Sequence, residues 1–135
     1  MITQGPFDLT IGTTLPLSDP GANSNNPATA VQLQNASPFI IEVNSGGNLL
    51  TIQSFTAQTI STSGGGQQMS VEPIQANSGQ LITYPTALTV VWLLGGESSP
   101  MTDGALTAAA ILFAQSNIGP FDNVSVRSAE SDGIA

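Results

Sequence analysis

Any chemistry in this chain falls to carboxylates, hydroxyls and amides. Its 135 residues hold nine acidic side chains (Asp8, Asp19, Glu42, Glu72, Glu97, Asp103, Asp122, Glu130 and Asp132), one base, Arg127, and no histidine or cysteine. A histidine-based triad, a thiol nucleophile, a zinc site of His or Cys ligands and a disulfide framework are therefore all excluded. A carboxylate pair such as Asp122 and Glu130 is what remains, because glycoside hydrolysis needs only two correctly spaced carboxyls. The acids are scattered singly and no motif groups them, so the chain reads as a non-enzyme and no catalytic residue is assigned. Residues 19–26 are rich in the hard oxygen ligands that calcium takes, but they lack the alternating acidic pattern of a dedicated loop, and turn chemistry is the stronger reading. Gly64-Gly65-Gly66 has neither the spacing nor the following lysine of a phosphate cradle. No metal or cofactor is expected.

Charge narrows the partners. The formal net charge is −8 and charged residues are only 7% of the chain, against roughly 25% in ordinary soluble domains. A nucleic-acid partner is excluded because phosphate contacts need lysine and arginine. Docking on anionic lipid fails for the same reason. The apolar stretches at 88–94 and 105–114 fall short of the roughly 20 residues that span a bilayer. The first residues show no basic segment followed by an apolar core, so no secretory signal is expected, and Asn123-Val124-Ser125 reads as a coincidental glycosylation match. Asn, Gln, Ser and Thr make up 48 of the 135 residues. A surface wetted by neutral polar groups loses little on being covered, which suits packed assemblies and binders of polar ligands.

These residues must be positioned by strands. Ala30-Val31-Gln32-Leu33-Gln34 alternates, Asn35-Ala36-Ser37-Pro38 breaks the run, and Phe39-Ile40-Ile41-Glu42-Val43 resumes it. Asn44-Ser45-Gly46-Gly47-Asn48 tolerates the positive φ of a tight hairpin and leads into Leu49-Leu50-Thr51-Ile52-Gln53. Further strands are expected at 55–60, 67–74, 80–84, 88–94 and 121–127, with Pro73 at an edge or a strand end. Residues 105–114 are ambiguous: their alanines favour helix, but the preceding Asp103-Gly104 turn signal and the strand rhythm favour strand, and strand is the expectation. Leu33, Phe39, Ile41, Leu50, Ile52, Val90, Trp92 and Leu112 are the expected core. The fold class is all-β: a single-domain antiparallel β-sandwich, jelly-roll or immunoglobulin-like, over 29–127, with an extended N-terminal arm (1–28) and a polar C-terminal tail (128–135).

The arm carries prolines at 6, 16, 20 and 27 and offers a core only Phe7, Leu9, Ile11, Leu15 and Leu17. It is expected to order by docking, either back onto its own domain or onto a neighbouring subunit, and these five residues with Arg127 are the candidate assembly contacts. Arg127 can form a bidentate pair with a carboxylate across a subunit boundary or within the chain. Trp92, inside Val-Val-Trp-Leu-Leu, reads as core and not as a sugar-stacking platform, and Tyr84 is the other aromatic open to the same question.

The run Val31-Gln32-Leu33-Gln34-Asn35-Ala36-Ser37-Pro38-Phe39-Ile40-Ile41-Glu42-Val43 resembles small virion proteins of tailed bacteriophages, in which a strand, an Asn-x-Ser-Pro-aromatic turn and a second strand recur. Phe55-Thr56-Ala57-Gln58-Thr59-Ile60, Val71-Glu72-Pro73-Ile74 and residues 88–94 followed by Gly95-Gly96-Glu97 resemble the continuation, over about residues 29–114. The resemblance implies a β-rich structural protein of the virion, on the capsid or tail exterior. Its expected mode is symmetric assembly as a homo-oligomer, a trimer being favoured, in contact with other virion proteins such as the major capsid protein. The other function class is a receptor- or carbohydrate-binding module of a phage tail, with residues 44–48 and 61–68 meeting a host glycan.

Overall fold

The computed structural model describes residues 1–21, 25–62, 68–76, 81–100 and 103–121. Its strands are β1 (Ile2–Thr10), β2 (Leu15–Ser18), β3 (Ala30–Asn35), β4 (Phe39–Ser45), β5 (Asn48–Ile52), β6 (Thr56–Ser61), β7 (Gln68–Ala76) and β8 (Thr83–Leu93), followed by a helix, α1 (Asp103–Phe121). They form two four-stranded sheets, ordered β1-β8-β3-β6 and β2-β7-β4-β5, and every pairing is antiparallel. The first strand pairs with the last, β2 with β7, β3 with β6 and β4 with β5. The chain is thus one long hairpin rolled into two facing sheets, the arrangement of a jelly roll.

The tip of that hairpin is Gly46-Gly47. Both glycines have positive φ, 62° and 92°, which is what a two-residue turn matched to strand twist requires and what a side chain resists. Asn44 Oδ1 accepts the Gly47 N–H at 3.0 Å and holds the turn closed. A third glycine is tied to its place by close approach: at Gly5, φ is 95° and an added Cβ would sit 2.8 Å from the Leu88 carbonyl oxygen.

The alternation seen in the sequence becomes inside and outside. Val31 and Leu33 on β3, Phe39, Ile41 and Val43 on β4, Ile52 on β5, Met69 and Val71 on β7, and Leu88, Val90 and Trp92 on β8 fill the space between the sheets. Trp92 is fully buried, and its indole Nε1 donates to Gln4 Oε1 at 2.8 Å, tying β1 to the core. On the opposite face of the β1-containing sheet, Gln32, Gln34, Val91 and Leu93 are also buried, with Gln34 Nε2 donating to Gln32 Oε1 at 2.8 Å. That face is therefore covered. No described helix is long and apolar enough to cross a membrane.

Five expectations change. Residues 105–114 are helical, and Leu112 is 66% exposed, not core. The segment has no period-two pattern, Ala105 and Ala108 to Ala110 are the best of helix formers, and β8 is already paired on both sides by β1 and β3. Leu50 is half-buried, because β5 is an edge strand. Phe121 closes α1, so no strand begins there, and residues 122–127 lie outside the described residues, as do Arg127 and the 128–135 tail. Pro73 is buried within β7, an interior strand. It is accommodated because the β2 ladder stops at Val71 and the β4 register slips beside it, with Ile41 facing Pro73 and Ile40 facing Gln75.

The N-terminal residues are built into their own sandwich. β1 lies against β8 and β2 against β7, one strand in each sheet. Leu9 and Leu17 are buried in the core, and Phe7, Ile11 and Leu15 pack against it. Of the two dockings open to the arm, the structure takes the one onto its own domain, because two short sheets sealed by these side chains bury more apolar surface than three strands apiece would. Beyond β2, Asp19 is buried and both its carboxylate oxygens accept backbone N–H groups, Gly21 at 2.8 Å and Ala28 at 2.9 Å. This is turn chemistry, and it ties the loop to the start of β3.

One end of β1 carries a charged tie. The Met1 ammonium donates to Glu97 Oε2 at 2.6 Å, and the Leu94 N–H donates to Glu97 Oε1 at 2.8 Å. These hydrogen bonds, the ammonium's first, hold the Glu97 carboxyl below its ordinary 4.5. A lowered folded-state value means that the tie is complete above 4.5 and is lost as pH falls through the lower value. Protection of the amides at the start of β1, taken relative to their intrinsic exchange rates, should therefore fall as the pH drops through that lowered value, and Glu97→Gln should remove this pH dependence.

Candidate functional site

Three chain corners meet at one end of the sandwich, beneath α1. The first is the β3–β4 crossing, where the chain passes from one sheet to the other through Asn35-Ala36-Ser37-Pro38. Asn35 is completely buried, and its amide is fully used: Nδ2 donates to the carbonyls of Phe39 at 2.9 Å and Gln53 at 3.0 Å, while Oδ1 accepts the Ser37 hydroxyl at 2.6 Å and the Ser37 N–H at 3.2 Å. Ser37 Oγ in turn accepts the Phe39 N–H at 3.2 Å. The Asn-x-Ser-Pro-aromatic motif is thus a corner brace, in which the polar atoms of both buried side chains, Asn35 and Ser37, find partners.

The second corner is the β5–β6 turn. Its Phe55 has a φ of 55°, unusual for an aromatic residue, and its N–H donates to the Ser37 carbonyl at 3.1 Å. The third is at the start of β8, where residues 85–87 bulge against β1, since Phe7 faces Leu88 and Leu9 faces Tyr84. Thr86 sits there at a φ of 49°, and Asp8 Oδ1 receives its N–H at 3.0 Å. A β-branched residue in the left-handed region costs about 1–3 kcal/mol and persists only where its surroundings impose it.

Helix α1 closes over these corners with Leu106 buried and Phe113 half-buried. Phe113 lies 5.6 Å from Tyr84 and 5.7 Å from Phe55, and Tyr84 stands edge-on to Phe39 at 6.5 Å, so an aromatic chain links the helix to the core. Burial raises the Tyr84 hydroxyl above its ordinary 10.0. Beside Phe113 opens a cleft of about 580 Å³ lined by Ala36, Tyr84, Pro85, Thr86, Ala109 and Leu112. Its walls are mainly apolar, with the Tyr84 hydroxyl as the main polar handle, because Thr86 Oγ1 is turned back onto the Pro85 carbonyl at 2.7 Å. Among the described residues no carboxylate lines it. The cleft has the shape of a small binding site. Truncating Phe113 to alanine should undock the helix at a cost of about 2 kcal/mol, half the usual value for a buried ring because Phe113 is half-buried. Hydrogen exchange should then quicken across α1 while both sheets keep their protection.

One acidic pair lies elsewhere. Glu42 and Glu72 face each other across β4 and β7, half-buried on the outer face of the second sheet and away from the cleft. Like charges directly opposite one another weaken a sheet by about 0.2–1 kcal/mol. Glu72→Lys should therefore raise the denaturation midpoint by an equivalent amount, with no change in fold. Asp122 and Glu130 fall outside the described residues. Of the residues 44–48 considered for a glycan, Asn44 and Asn48 are exposed around the hairpin tip, and residues 63–67 of the second loop lie outside the described residues.

Nothing in the sequence marked the cleft. Its walls come from two corners and a helix far apart in the chain, and the sequence points to a strand where that helix stands. Compared with known proteins, the chain matches no protein-family model and no curated protein.

Proposed function

We propose that this chain is a non-enzymatic structural protein of a bacteriophage virion, acting by symmetric assembly on the particle as a capsid decoration or stabilising component. The observation that carries this reading is a jelly roll built from a chain poor in ionisable groups, charged residues being 7% of it. Neutral hydroxyls and amides cover it, and large apolar side chains at Leu49, Ile74, Ile82, Ile111 and Leu112 stand exposed. Such a surface is inexpensive to desolvate and repels a neighbouring copy weakly, as repeated packing on a particle requires. Jelly rolls serve both viral capsids and lectins, so the fold alone does not separate the two function classes.

The separation favours assembly because Trp92, the best ring for stacking a sugar, is fully buried. A carbohydrate-binding module would have to rely on Tyr84 at the cleft. The deciding experiment is quantitative mass spectrometry of gradient-purified virions from the host that carries this gene. Peptides of the chain should co-sediment with the major capsid protein at a fixed ratio. Their absence from particles, or saturable binding of the isolated protein to a glycan array, would overturn the assembly role in favour of the alternative.

A further inference from the structure

Each sheet ends in two edge strands, β1 and β6 in one, β2 and β5 in the other. An edge is a row of unpaired backbone groups that invites another strand, and proteins blunt edges with proline, charge, bulges, shortness or a covering element. Three of these edges are blunted. β1 carries Pro6, Asp8 and two register shifts. β2 is four residues long and includes Pro16. β6 has α1 packed beside it and its Thr59 hydroxyl engaged with that of Ser99 at 2.7 Å. β5, Asn-Leu-Leu-Thr-Ile, has no proline, no charge and no bulge, runs in unbroken register with β4, and is covered by no other element among the described residues.

The hairpin tip determines what β5 presents. The two-residue turn closes on the Ser45–Asn48 pair, so ladder hydrogen bonds to β4 fall at residues 48, 50 and 52. The N–H and C=O groups of Leu49 and Thr51 therefore point away from the sheet. We propose that β5 is a self-pairing edge through which two copies of this chain join, antiparallel about Leu50, so that two four-stranded sheets become one continuous sheet. In this register Leu49 of one copy exchanges both backbone hydrogen bonds with Thr51 of the other, and the reciprocal pair does the same. The two Leu50 residues meet at the centre. The segment is self-complementary and uncharged, so nothing along the seam repels. Leu49, 63% exposed in the single chain, gains cover across the junction. The contact is isologous and closes at two copies, which avoids fibres.

The seam deepens the assembly reading by naming the partner surface, and it is tested separately from it. A contact of five residues a side is below the standard interface size, so association is weak and should appear near the upper concentration range, about 0.1–1 mM. In sedimentation velocity of the full chain, the mass should climb from 13.7 kDa toward twice that value with concentration. Thr51→Pro removes one outward N–H without touching the β4 ladder and should weaken association about tenfold or more, whereas Thr51→Val keeps the N–H and should associate as the parent does. Leu49→Lys, at an exposed side chain, is a second blocking variant should Thr51→Pro fail to fold. A mass that stays at 13.7 kDa up to about 1 mM, or association indifferent to both blocking variants, would overturn the seam. Association that survives both would leave the virion role standing on another surface, and absence from virions would remove the role while leaving a measured seam intact.

Discussion

A chain lacking residues 1–28 is expected not to fold. β1 and β2 are single strands in two different sheets, so the deletion strips β8 and β7 of partners at once and opens a new edge in each. It also removes Leu9, Leu17 and Ala28 from the core and Gln4 from the indole of Trp92. Emptying the two leucine sites alone costs about 2–5 kcal/mol each. Unfilled ladder bonds and a wetted Trp92 add to that, against a total stability of about 5–15 kcal/mol for a domain. Thermal and denaturant unfolding followed by near-ultraviolet circular dichroism should show a cooperative transition for the full chain and none for the truncated one. A truncated protein that still unfolds cooperatively would mean that β1 and β2 are dispensable to the sandwich. The deletion is consequently no clean probe of assembly, and point substitutions on β5 take its place.

The second large effect is expected at Asn35. Replacing it with alanine leaves the carbonyls of Phe39 and Gln53 and the hydroxyl and N–H of Ser37 without their shared partner, where Asn35, Ser37 and Phe39 are wholly buried. Each buried polar group left unsatisfied costs about 1–3 kcal/mol, so the substitution should lose about 3 kcal/mol or more. Asn35→Asp should also destabilise, because the new carboxylate cannot donate to two carbonyls and buries a charge beside them. Ser37→Ala, which removes a hydroxyl but keeps the Ser37 N–H, should cost less than either. Equilibrium denaturation of the three variants measures the order. If Asn35→Ala lies within about 0.5 kcal/mol of the parent, the brace does not hold the corner.

Much of the framework was legible along the chain. The alternation in Val31-Gln32-Leu33-Gln34 and in Phe39-Ile40-Ile41-Glu42-Val43 marked two strands, and Gly46-Gly47 marked the hairpin between the next pair, because each signal is local: a period of two, or a backbone conformation that only glycine adopts cheaply. Burial of Leu33, Phe39, Ile41, Ile52, Val90 and Trp92 followed from the same patterning. Residues 105–114 misled because a turn signal and strand-like neighbours outweighed five alanines. The deciding fact, that β8 already had partners on both sides, is a property of the sheet and not of the segment.

The sequence by itself determined an antiparallel β-sandwich, an interior built from alternating strands, and a chain without the side chains of most familiar catalysis. Composition and short-range periodicity specify those features, and both are readable in one dimension. Only the tertiary structure decided that the strands roll up as nested pairs into a jelly roll, that the N-terminal residues complete their own sheets, and that Tyr84, Thr86 and Phe113 wall one cleft. It also decided that β5 stands as the unguarded edge. These depend on which distant segments bury one another's faces, and that choice is made by the summed packing of two sheets and not by any segment's own preference.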